Sequence, residues 1–62
     1  MRVEIAYQHA EGVVDAFFGL GDTISPASFE HCEQMVELCG YPEGDIEPIA
    51  EAVYDILLVR SR

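Results

Sequence analysis

Apolar residues recur at three- and four-residue spacing along most of the chain, with polar positions between them, which is the signature of amphipathic helices. Val3, Ala6, Tyr7, Ala10, Val13, Val14, Phe17 and Phe18 form the first stripe and predict a helix over about 3–18. A local alternation of Val3, Ile5 and Tyr7 with Arg2, Glu4 and Ala6 also suits a short N-terminal strand, the alternative at that end. Gly19-Leu20-Gly21-Asp22 stops the first helix, because glycine takes the left-handed conformation that ends helices without strain. Ser25-Pro26 then signals a second helix over about 26–39: the serine oxygen caps orphan amides and proline fits the first helical position. Its stripe is Phe29, Cys32, Met35, Val36 and Cys39, and Gly40-Tyr41-Pro42 closes it. Asp45 is the expected cap of a third helix over about 46–60, with Pro48 tolerated in the first turn. Ile46, Ile49, Ala50, Val53, Ile56, Leu57 and Arg60 make that stripe, and Leu58 and Val59 widen it. Three helices joined by short turns predict an all-α, compact three-helix bundle, one small domain over 1–62.

Composition narrows what such a bundle can do. A chain of 62 residues buries only about 60% of its unfolded surface, so its core is thin and a deep pocket is hard to build. That favours a binding module over an enzyme, with no catalytic residue and no cofactor assigned. Twelve Asp and Glu against three Lys and Arg give a net charge of −9, which disfavours direct contact with nucleic acid or an anionic membrane. No apolar run approaches the ~18–20 residues of a membrane span, and the expected setting is the cytosol. All the basic residues are Arg2, Arg60 and Arg62, so the stretch between Val3 and Val59 holds every acid and no Lys or Arg.

The acids fall in rows. Glu4, Glu11 and Asp15 share one side of the first helix, Glu30, Glu33 and Glu37 one side of the second, and Glu47, Glu51 and Asp55 step along the third, with Asp22, Glu43 and Asp45 in the adjoining loops. Carboxylates one turn apart are ~5.4–6 Å apart along a helix, close to the ~7 Å between successive phosphates of a nucleic-acid strand. Acids on outer helix faces are ordinary and aid solubility. Here, however, Glu11/Asp15, Glu33/Glu37, Glu47/Glu51 and Glu51/Asp55 are like-charge pairs at i, i+4, each destabilising by ~0.2–0.5 kcal/mol. Asp15 and Glu37 also lie near helix C-termini, where the macrodipole opposes anions. Charge set against local stability points to a cationic protein partner.

Other chemistry finds less support. Cys32 and Cys39, seven residues apart on one helix, are separated by ~10 Å, too far for a disulfide, and read as free thiols serving as small core hydrophobes. His9, His31 and the cysteines lack zinc-site spacing, and an acidic setting does not activate a thiolate. Glu43-Gly44-Asp45-Ile46-Glu47 lacks the twelve-residue calcium-loop pattern. Asp22-Thr23-Ile24 does not match the Asp-Ser-Leu of acyl carrier proteins, and a DNA-reading third helix would present Glu47, Glu51 and Asp55 to phosphates. Either Phe17 or Phe18 is expected to fill the core. Tyr41, in a Gly-Tyr-Pro turn, is a candidate interface anchor or a cap over the bundle end.

In size, acidity and rows of carboxylates the whole chain resembles the small acidic inhibitors of phages and mobile elements, anti-CRISPR proteins and other nucleic-acid mimics, with no motif matched. The resemblance implies a stoichiometric inhibitor in the host cytosol, with Glu30, Glu33, Glu37, Glu47, Glu51 and Asp55 engaging Lys and Arg in the DNA channel of a CRISPR effector complex of the Cascade type. Glu11, Asp15, Glu43 and Asp45 extend the expected acidic surface. The alternative is a regulatory or structural interaction module, antitoxin-like or subunit-bridging, that docks through an apolar face. Mutual repulsion at −9 per chain favours a monomer over a homodimer.

Overall fold

The computed structural model describes residues 2–18 and 28–60. They form three helices, α1 (Val3–Phe18), α2 (Phe29–Leu38) and α3 (Glu43–Arg60), the expected all-α three-helix bundle. Tyr7 reaches Asp55, and Val3 and Ala6 share a cleft with Pro48 and Ala52, so the first turns of α1 lie against the middle of α3. Phe29 stacks edge-on against Tyr54 while Glu37 lies near Glu43 and Glu47, which sets α2 antiparallel to α3. α3 packs extensively on both other helices, which touch each other far less.

Apart from Ala52, the core is built from the predicted stripes. Ala6, Ala10, Val13 and Val14 of α1, Cys32, Met35 and Val36 of α2, and Ile49, Ala50, Ala52, Val53 and Leu57 of α3 are buried, with no polar or charged side chain among them. Four alanines let the helix axes approach closely, and Met35, Ile49 and Leu57 supply the bulk. Aromatic residues frame this core: Tyr7, Phe18, Phe29, Tyr41 and Tyr54 pack against it without being fully buried. Of the two phenylalanines ending α1, Phe18 packs on the core and Phe17 is 42% exposed.

The chain departs from the expected boundaries at three points. The N-terminal strand alternative falls, because Val3, Ile5 and Tyr7 lie in α1, whose first turn is closed by the Ala6 N–H donating to the Arg2 carbonyl at 3.0 Å. α2 starts at Phe29. Ser28 is its extended N-cap (φ −171°, ψ 162°), with Oγ accepting from the His31 N–H at 3.1 Å. The Gly19-Leu20-Gly21-Asp22 stop and the Ser25-Pro26 start lie outside the described residues. α3 begins at Glu43, so Asp45 is not its cap. The Asp45 N–H instead donates to the Pro42 carbonyl at 2.9 Å, and Glu43 and Asp45 put negative charge on the first turn, where the helix dipole favours it. Pro48 is therefore inside the helix, where it removes the ladder bond that would end on the Gly44 carbonyl.

Two side-chain expectations also change. Cys32 is buried but Cys39 is exposed: it is the C-cap of α2 (φ −75°, ψ −6°), followed by Gly40 at φ +90°, and so has left the core face. Leu58 and Val59 do not widen the buried face of α3, being 39% and 62% exposed.

Candidate functional site

The acid rows of α2 and α3 meet in space. Glu30, Glu33, Gln34 and Glu37 of α2 and Glu43, Ile46 and Glu47 of α3 line an open groove of about 750 Å³, together with Tyr41 of the intervening turn. Five of the eight lining side chains are carboxylates and none is cationic. Because α2 and α3 are antiparallel and joined by only the short 39–42 turn, the acidic end of one helix is held beside the acidic start of the other. The early start of α3 adds Glu43/Glu47 to the like-charge pairs at i, i+4. Among the described residues no three His, Cys, Asp or Glu converge closely enough to hold one metal ion. Such spread-out carboxylates suit several separate cations, as on a lysine- or arginine-rich surface.

The remaining predicted acids are dispersed. Four residues advance a helix by 400°, so each i, i+4 step drifts about 40° around the axis. From Glu43 through Glu47 and Glu51 to Asp55 the row therefore turns by about 120°, away from α2 and toward α1. Glu51 lines a small cleft of about 180 Å³ with Val3, Ala6, Tyr7, Pro48 and Ala52. Asp55 accepts a hydrogen bond from the Tyr7 hydroxyl, which clasps α1 to α3. That bond, with a smaller contribution from desolvation and from the Asp55 charge, raises the Tyr7 pKa above its ordinary value. Asp45 is half-buried in the first turn of α3, outside the groove lining. Glu11 and Asp15 are exposed on α1 and take no part in the groove.

Of the two roles its sequence position suggested, Tyr41 takes the packing one. Its ring meets His9 edge-on, with centroids 5.2 Å apart at 73°, and its hydroxyl lies 3.1 Å from His9 Nδ1. It thereby ties the α2–α3 turn to α1 while lining the groove. His9, Gln34 and Ile46 are the members of this region that the sequence did not assign to a binding surface, His9 having been weighed only as a zinc ligand and Ile46 only as part of the α3 stripe. Gln34 was legible, standing four residues from Glu30 and three from Glu37 on the same helix face. His9 was not, since 32 residues separate it from Tyr41. Burial raises the Cys32 thiol pKa, consistent with an inert core position.

No family model matches the chain, and no curated protein or solved structure matches it either.

Proposed function

We propose that the protein is a non-enzymatic acidic inhibitor that binds a basic nucleic-acid-binding protein and competes with its nucleic acid, a CRISPR effector complex of the Cascade type being the target implied by the resemblance. The observation that carries this reading is the groove between α2 and α3, where Glu30, Glu33, Glu37, Glu43 and Glu47 gather without a cationic neighbour in the lining. Keeping like charges together costs stability, and a cationic surface would offset that cost on binding. Association through such a surface is fast and weakens with salt.

Total acidity must be separated from its placement. The triple variant Glu33→Gln/Glu37→Gln/Glu47→Gln removes three groove charges, and Glu4→Gln/Glu11→Gln/Asp15→Asn removes three from α1. The test is displacement of duplex DNA from a purified Cascade-type complex. The reading expects the groove variant to lose inhibition by at least tenfold and the α1 variant to stay within about threefold of wild type. Equal losses would reduce the effect to net charge and remove the groove from the account.

The alternative, a module that docks through an apolar face, draws on Leu38, which is 78% exposed at the end of α2. Binding that withstands salt and the groove triple variant but fails with Leu38→Ala would favour it.

A further inference from the structure

The wall of the groove contains a titratable contact. Tyr41 lines the groove and meets His9 of α1 through its ring and hydroxyl. Along α1 the positions one turn from His9 are Ile5, Ala6, Gly12 and Val13, none of them charged. The elements that meet at the 39–42 turn contribute Glu37 from the last turn of α2 and Glu43 and Asp45 from the first turn of α3. Among the described residues, the titratable side chain that meets the His9 ring is Tyr41.

A neutral imidazole has one nitrogen that accepts and one that donates, whereas a charged imidazolium donates from both. A tyrosine hydroxyl does either. We propose that the His9–Tyr41 pair is a proton-operated element of the groove. With His9 neutral, Nδ1 accepts the Tyr41 hydroxyl proton. With His9 charged, Nδ1–H donates to the Tyr41 oxygen, the hydroxyl proton stays on that oxygen but turns away from His9, and a positive charge stands against a residue of the groove lining. That charge opposes a cationic partner, so the groove holds such a partner more weakly when His9 is protonated. The inference rests on the groove reading for its consequence and on the 3.1 Å contact for its mechanism.

Histidine ordinarily changes charge between about pH 5 and 8, which sets the window for the test. The neutral tautomer is read from the ¹⁵N shifts of the His9 ring, and the Tyr41 Cζ shift is followed through the same titration. In parallel, the affinity of an oligoarginine peptide is measured at about pH 5.5 and 8 for wild type, His9→Gln and His31→Gln. The proposal expects an unprotonated Nδ1 in the neutral ring and a Tyr41 Cζ shift that moves at the His9 midpoint. It also expects wild type and His31→Gln to weaken on acidification by about two- to threefold more than His9→Gln, the size of one screened unit charge near the site. If His9→Gln loosens the bundle, Tyr41→Phe keeps the ring contact, removes the hydroxyl proton and reduces the pH response. A proton on Nδ1 in the neutral ring overturns the proposal whatever the peptide does. Equal pH responses in wild type and His9→Gln overturn it and leave the groove reading intact. A peptide that binds wild type at neither pH overturns the groove reading, and this proposal with it.

Discussion

Glu37→Gln makes the protein more stable, by an amount the helix geometry sets. Glu37 is exposed in the last turn of α2, one turn beyond Glu33. Removing its charge abolishes one i, i+4 repulsion, ~0.2–0.5 kcal/mol, and one anion at a helix C-terminus, ~0.3–1 kcal/mol. α2 has no basic residue in its last turn to offset that anion. Glutamine matches glutamate in shape and helix propensity, so the charge terms stand nearly alone. Their sum is ~0.5–1.5 kcal/mol, and release of repulsion from Glu43 and Glu47 across the groove adds to it. At ~4–8 °C per kcal/mol for a domain of this size, the gain in Tm is roughly 2–12 °C. Circular dichroism melts in low-salt buffer measure it. In 1 M salt, where the screening length is ~3 Å, most of the gain disappears because wild type has risen toward the variant. A variant no more stable than wild type at low salt would refute the reasoning, since Glu37 would then have a favourable partner. A gain that persists at 1 M would show that charge is not its source.

Three further outcomes follow from single contacts. Ser28→Ala removes the oxygen that accepts the His31 N–H, so urea denaturation loses ~0.5–2 kcal/mol, whereas Ser28→Gly loses a few tenths. Tyr7 is bonded to Asp55 and its pKa is raised in the folded state, so its contribution to stability is complete below the unfolded tyrosine pKa of about 10 and disappears as pH rises through the folded value. Wild type and Tyr7→Phe should accordingly converge in urea midpoint under strongly alkaline conditions, and a constant difference up to that range would contradict the clasp. A thiol reagent should modify Cys39 at once and Cys32 only on unfolding, because one is exposed at the α2 C-cap and the other is buried with a raised pKa. Two fast equivalents would place Cys32 outside the core.

The three helices were legible because their apolar stripes keep one period over two to four turns each, and the residues that carry those stripes supply nearly all of the core. Helix ends were less legible, since each has competing signals. The segment before α2 contains two serines able to cap, and the structure uses Ser28, at the closer of the two positions to the apolar stripe. At α3, Gly44 and Pro48 resemble loop residues, yet the turn closed on the Pro42 carbonyl draws both into the helix. Cys39 continued the period of α2 but falls where the helix unwinds into Gly40, so periodicity placed it in the core and the cap took it out.

The site was half legible for a related reason. Sequence spacing assigns acids to faces of separate helices, and Glu30, Glu33, Glu37 and Glu47 were named on that basis, with Glu43 expected in the adjoining loop. Which face meets which is a tertiary matter. The 40° drift at each four-residue step divides what reads as one row on α3 between two neighbours, sending Glu47 to the groove and Asp55 to Tyr7. Contacts between distant positions, such as His9 with Tyr41, leave no mark in local pattern.

The most direct test of the central claim is to map where a cationic chain touches this surface. ¹⁵N-labelled protein is titrated with an oligoarginine peptide at low salt and the backbone amide shifts are followed residue by residue. The account predicts saturable changes concentrated at Glu30, Glu33, Gln34, Glu37, Tyr41, Glu43 and Glu47, with Glu4, Glu11 and Asp15 nearly still, although those three are as acidic and as exposed. Changes of equal size along the α1 row, or none that saturate, would contradict it: the acidity would then be a property of the whole surface, and the groove would have no privileged part in binding.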